Sequence, residues 1–189
     1  MKTVIADKIA SVAQHLNLKR ELRVSTDIPC EEGVVIAAEV LNNKNTYNQL
    51  ELTSGRMALV KKGDIVVGAL GHRKALFGYS GHLPERLAPG DTLQLLNMGG
   101  VIGVCDSINA SFGQPFDARV LGTVLDFPYL GQRIGVPARI GMEQLAAEPL
   151  LATQGVPVVA IAGTCMNSGK TAAACAIVSR LRHHGHTVD

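Results

Sequence analysis

Between residues 163 and 171 the chain reads Gly163-Thr164-Cys165-Met166-Asn167-Ser168-Gly169-Lys170-Thr171. Two glycines enclosing small and polar residues, followed at once by a lysine and a β-hydroxyl, make the composition of a phosphate cradle. Glycine lets the main chain approach an anion, successive N–H groups curl toward it, and the positive end of a following helix adds its field. In such a cradle Lys170 reaches the β- and γ-phosphate oxygens and the Thr171 hydroxyl sits on Mg²⁺. The chemistry expected of all nine residues is binding of a Mg-nucleotide, ATP or GTP.

A cradle of this kind works only at a turn from strand to helix. Before it, Pro157-Val158-Val159-Ala160-Ile161-Ala162 is a continuous apolar run, the pattern of a strand buried on both faces in a parallel sheet. After it, Lys170 to His184 is Ala-rich and carries Ile177, Val178 and Leu181. Arg180, Arg182, His183 and His184 fall where a helix dipole favours cations, and Gly185 is placed to stop the helix. The expected order is strand, loop, helix.

Five residues separate Gly163 from Gly169, where the commonest phosphate loop has four. This form resembles the loop of dethiobiotin synthetase and its relatives, the cobyrinic acid amidating enzymes, with Gly163, Thr164, Gly169, Lys170 and Thr171 as matching positions. The fuller phrase, Gly-Thr-x-Met-Asn-Ser-Gly-Lys-Thr, is similar to that of a group of poorly characterised bacterial proteins with such a P-loop domain behind an N-terminal domain. A branch marked by a second lysine early in the loop is disfavoured, because Thr164 and Cys165 stand there. The resemblance covers residues 157–189 alone. It implies an ATP-using enzyme that activates an unknown small-molecule substrate, of carboxylate type, by phosphoryl transfer, with Lys170 as the catalytic group that stabilises charge on the transferred phosphoryl. Two other classes stay open: a nucleotide-regulated accessory or binding protein, and an acyltransferase whose loop holds the phosphates of coenzyme A.

A parallel sheet needs several crossovers of about thirty residues each. After the loop Asp189 is the sole carboxylate, and no segment supplies a second acidic strand end or a base-recognition loop. The reading is an N-terminal fragment of a longer protein, inactive in phosphoryl transfer as it stands.

Upstream the texture differs. Residues 3–18 place Val4, Ile5, Ile9, Val12, Leu16 and Leu18 at near-helical spacing, so residues 1–20 are expected to form an N-terminal amphipathic helix. Over 21–126 short β-branched runs recur: Leu22–Val24, Gly33–Ile36, Met57–Val60, Asp64–Val67, Thr92–Leu96, Val101–Val104 and Arg119–Leu125. Gly-rich turns separate them, including two copies of x-x-Gly-Asp at Gly63-Asp64 and Gly90-Asp91. These predict a mostly antiparallel β-barrel or sandwich. Residues 127–156 read as a Pro/Gly linker with a short helix near Met142 to Ala147, and 157–189 as the start of the nucleotide-binding domain. The fold class expected is α+β: helix, β-domain, then the first βα unit of a truncated α/β P-loop domain.

With 189 residues, 47% hydrophobic and 18% charged, the chain can build a core. Aromatics are 4% with no Trp, so that core must be aliphatic. A net charge of +2 gives no footprint for nucleic acid or an anionic membrane, and neither is expected as a partner. No apolar run is long enough to span a membrane, and charge interrupts the opening Val4-Ile5-Ala6 stretch, so a cytoplasmic protein is expected, with self-association left open. Cysteines 30, 105, 165 and 175 lack metal-site spacing and read as free thiols. Three other places could hold chemistry: His72 and His82 around Lys74, the Cys105-Asp106 pair at a strand end, and Cys165 within the loop. Without a third ligand or a histidine partner in view, these read as surface residues, a strand-end thiol and a spacer. Glu31-Glu32 reads as a solvated turn.

Overall fold

The computed structural model describes residues 1–75, 77–129, 134–141, 153–164 and 168–188. The chain divides into two compact units, Met1–Ala146 and Ala147–Asp189. The first holds β1 (Lys2–Ile5), β2 (Lys8–Ile9), a 3₁₀ helix (Ser11–Leu16), β3 (Glu21–Ser25), β4 (Val35–Val40), β5 (Gln49–Glu51) and β6 (Met57–Leu59). It continues with β7 (Ile65–Leu70), β8 (Ser80–His82), β9 (Thr92–Leu95), β10 (Val101–Ser107), a 3₁₀ turn (Ala110–Phe112), β11 (Phe116–Asp126) and β12 (Val136–Pro137). The second holds α1 (Lys170–His183). Strands dominate and helices are few, so the chain is α+β with one large mixed sheet.

In that sheet β11 pairs with β4, β4 with β7, β7 with β10, β10 with β9, and β9 with β11 again. The five pairings form a closed circuit. All are antiparallel except β7–β10; a second parallel pairing, β2–β7, lies outside the circuit. β5 and β6 pair only with each other, as a hairpin.

The two Gly-Asp turns occupy equivalent places in this circuit. In the first, Gly63 N–H donates to Val40 O (2.8 Å), Val40 N–H to Asp64 O (2.9 Å), and Lys61 N–H to Asp64 Oδ2 (2.6 Å). In the second, Gly90 N–H donates to Val120 O (2.8 Å), Val120 N–H to Asp91 O (2.8 Å), and Ala88 N–H to Asp91 Oδ2 (2.8 Å). Both glycines have positive φ, +89° and +100°, where a side chain would be strained. The register beyond each turn also matches. Ile65, Val66, Val67 and Gly68 face Glu39, Ala38, Ala37 and Ile36, while Thr92, Leu93, Gln94 and Leu95 face Arg119, Ala118, Asp117 and Phe116. Between β4 and β11, Val40 faces Ala118, Ala38 faces Val120, and Glu39 and Arg119 are directly opposite in a 2.6 Å ion pair. About that pair, β4 with β7 and β11 with β9 repeat the same turn and register.

The period of two in β4 sends its side chains to two different cores. Val34, Ile36, Ala38 and Val40 join Val66, Leu70, Leu93, Leu95, Ile102, Phe116 and Val120 in one cluster. Val35 and Ala37 join Val67, Ala69, Val4, Leu22, Val24 and Val124 in the other. The second cluster explains why the N-terminus is not the expected helix. Thr3, Val4 and Ile5 are β-formers, and β1 pairs antiparallel with β3 from Lys2↔Val24 to Ile5↔Glu21, placing Val4 in the core and Ile5 in solvent. The apolar spacing that suggests a helix is satisfied by a strand followed by a 3₁₀ helix, whose Ala13 is buried.

Candidate functional site

In the second unit, α1 starts at Lys170, as its run of alanines favours. Gly169 caps it in the left-handed region, φ 88°, which only glycine enters freely. The C-terminus closes as expected: Gly185 has φ 85°, its N–H donates to Arg182 O (3.0 Å), and His186 N–H donates to Leu181 O (3.0 Å). No residue of α1 is buried, although Ile177 and Val178 lie on it.

At the start of α1 the Lys170 side chain folds back over Gly163. A Cβ built on Gly163 would lie 2.4 Å from Ser168 Oγ and 3.0 Å from both Lys170 Cγ and Cδ, so any side chain there would displace these two. Lys170 Nζ donates to Ser168 Oγ at 3.1 Å. Thr164, Ser168, Gly169 and Thr171 are exposed, and Lys170 is half-buried. Gly163, Ser168 and Lys170 therefore come together beside the first N–H groups of a 14-residue helix. Cys165, Met166 and Asn167, the middle of the motif, lie outside the described residues, as does the short helix expected near 142–147.

The segment before the loop differs from expectation. Pro157 to Ala162 is not a buried strand: Val158 is 66% and Val159 71% exposed, and no described residue pairs with this stretch. A strand interior in a parallel sheet is buried by neighbours that take its N–H and C=O groups on both edges. Without such neighbours its β-branched side chains stay in solvent. Nor do His186, Thr187 and Val188 form a strand.

In the first unit, the register between β8 and β10 sets His82 opposite Val104, and His82 Nδ1 lies 2.6 Å from Asp106 Oδ1. A sequence reading leaves Asp106 without a histidine partner, because the two residues are 24 positions apart and only strand pairing joins them. An ionised Asp106 holds the proton on Nδ1 and leaves Nε2 as the basic nitrogen. Both side chains are half exposed. Burial, and then the Asp106 charge, push the Cys105 thiol above its ordinary range, and its Sγ–H donates to Ser107 O at 3.4 Å. A thiol held protonated is a poor nucleophile. Cys30 is likewise raised, by burial first and by Asp91 second. Cys30, Cys105 and Cys175 are free. His72 and Glu32 are exposed, and Glu31 pairs with Arg139 at 2.6 Å.

Among the described residues no three His, Cys, Asp or Glu side chains are placed to hold a metal ion, and no helix is long and apolar enough to cross a membrane. Comparison with known proteins returns no matching family model, no matching curated protein and no matching solved structure. The chemistry of the site is argued from its own residues.

Proposed function

We propose that the loop from Gly163 to Thr171 binds the phosphates of a Mg-nucleotide, and that the chain belongs to an ATP-dependent enzyme activating a small-molecule substrate by phosphoryl transfer. One observation carries the reading: Lys170 lies folded across Gly163, with Nζ on Ser168 Oγ, at the N-terminus of α1. That arrangement gathers an ammonium group, a hydroxyl and the first N–H groups of a helix beside a glycine whose missing side chain leaves the main chain approachable. Polyphosphate fits this donor set, and the Thr171 hydroxyl, exposed in the first turn, would hold Mg²⁺. Lys170 would place its charge on the phosphate oxygens, and the loop N–H groups would fix their orientation. The same reading makes Gly163–Thr171 the phosphate loop of an α/β P-loop domain, in which Pro157–Ala162 would become a strand only once neighbouring strands pair with it. In the N-terminal unit, we infer that the closed circuit of five strands is a small barrel.

The test is a titration of the full-length protein with a fluorescent ATP analogue in Mg²⁺, competed with ATP, GTP and acetyl-coenzyme A. ATP or GTP should displace the probe. Lys170→Ala should weaken binding at least tenfold, the loss of one charge-assisted contact. Undiminished binding by that variant, or displacement by acetyl-coenzyme A alone, overturns the proposal.

A further inference from the structure

The chain has three tyrosines and four phenylalanines, and five of these rings gather in one place. Tyr47 stacks on Phe112 with centroids 4.5 Å apart, and Phe77 and Tyr79 meet Phe112 edge-on at 5.0 and 6.3 Å. Phe116 completes the group, with the Lys44 ammonium 5.7 Å from its centroid and 5.2 Å from that of Tyr79. Lys44 arrives from the loop after β4. Its Nζ donates to Tyr79 Oη (2.7 Å), to Phe112 O (3.0 Å) and to Gln114 O.

The count of donors and acceptors closes. An ammonium has three N–H donors, and all three are used. The Tyr79 oxygen accepts from Lys44, and its own hydrogen is left for Gly113 O at 3.1 Å. Three successive carbonyls, of Phe112, Gly113 and Gln114, are thus met by one lysine and one phenol, with the Thr46 hydroxyl donating a further hydrogen bond to Phe112 O (3.1 Å). Burial pushes the Lys44 ammonium below its ordinary range and Tyr79 up to about 12, so Tyr79 remains a phenol able to accept and donate. Only a charged amine brings three hydrogens to one nitrogen, one for each of the acceptors Lys44 meets.

We propose that the carbonyls of Phe112 and Gln114, the Tyr79 hydroxyl and the surrounding ring faces form a site for a primary ammonium ion, which Lys44 fills from within the chain. Filling it latches the 42–48 loop to the 110–115 loop. The geometry is that of a cation site, with oxygen ligands in front and aromatic faces behind. The tethered ligand removes the entropy cost of capturing a free one. The 110–115 loop has one 3₁₀ turn of its own, closed by Phe112 N–H on Asn109 O (3.0 Å), and Lys44 adds bonds to it from a distant loop.

Amide hydrogen exchange on the whole chain tests this. In Lys44→Met, which keeps an unbranched apolar stem and removes the charge, the Phe112 and Gly113 amides should exchange about tenfold faster, while those of β4 and β7 stay unchanged. In Lys44→Ala, methylammonium chloride should restore protection at those two amides. Tetramethylammonium chloride at the same ionic strength has no N–H to donate and should not. Unaltered exchange in Lys44→Met overturns the latch, and equal rescue by both salts overturns the ammonium site. Should Lys44→Ala fail to fold, a slowly exchanging Lys44 ammonium signal in the wild-type NMR spectrum supports the site, and its absence counts against it.

Discussion

Two stretches of this chain read almost alike: Val35-Ile36-Ala37-Ala38 in β4 and Val158-Val159-Ala160-Ile161 before the phosphate-loop motif. Their fates differ. The first is buried on both faces and paired along both edges, by β7 and β11. The second is exposed and unpaired among the described residues. An apolar, β-branched run is competent to be a central strand, but neighbours make it one, because main-chain N–H and C=O groups are buried only when something takes their hydrogen bonds.

The sharpest way to break the comparison is to put a charge in each run. Ile36→Asp buries a carboxylate where there is no solvent and should cost about 4 kcal/mol or more, leaving the N-terminal unit largely unfolded. Val159→Asp, at a position 71% exposed in the second unit, should change the stability of its own unit by less than about 0.5 kcal/mol. Similar losses from both variants, followed by thermal denaturation, would show that the second run is as deeply packed as the first.

The turns flanking β4 and β11 sharpen the same point, since they anchor the strands that β4 depends on. Asp91→Ala removes the acceptor for Ala88 N–H and should cost about 1 kcal/mol. Asp64→Ala removes the equivalent acceptor for Lys61 N–H and also strands Lys8, whose side chain is 15% exposed and whose Nζ lies 2.6 Å from Asp64 Oδ2; a loss of about 3 kcal/mol follows. Equal costs in urea denaturation would mean that Lys8 adds nothing to the repeated pattern.

The smallest effect at ordinary pH comes from Tyr79. Its phenol is raised from 10.0 to about 12 by burial, with Tyr47 and Cys105 adding to the shift and Arg73 opposing it. The folded state thus keeps a proton that the unfolded chain releases. The stability involved is intact below pH 10 and is lost as pH rises from about 10 to 12, by about 3 kcal/mol in total. Tyr79→Phe should flatten the alkaline limb of a Tm-against-pH curve for the N-terminal unit; an unchanged limb assigns it to other groups.

Much of this was readable along the chain. The runs at 57–60, 64–67, 92–96, 101–104 and 119–125 coincide with β6, β7, β9, β10 and β11, because period-two burial and Gly-Asp turns are local signals. The helix from Lys170, with Gly169 before it and Gly185 behind, was equally legible. The N-terminal segment was not, because Val4, Ile9, Val12 and Leu16 suit a helix by spacing while Thr3, Val4 and Ile5 suit a strand by side-chain shape. Pairing with Glu21–Ser25 decides between them. The parallel contacts of β7 with β2 and β10 were equally hidden, as were the His82–Asp106 pair and the Lys44 cluster.

By itself the amino-acid sequence determined where the chain could extend, turn and coil, and which nine residues carry a phosphate-loop pattern, because those properties depend on neighbours a few positions away. Tertiary structure alone decided that two short turns 27 residues apart are equivalents in one circuit, that Glu39 meets Arg119 and Lys44 meets Phe112 and Gln114, and that one of two similar apolar runs is enclosed. Those outcomes rest on contacts between distant residues, and no local preference encodes which distant partner will supply the missing hydrogen bond.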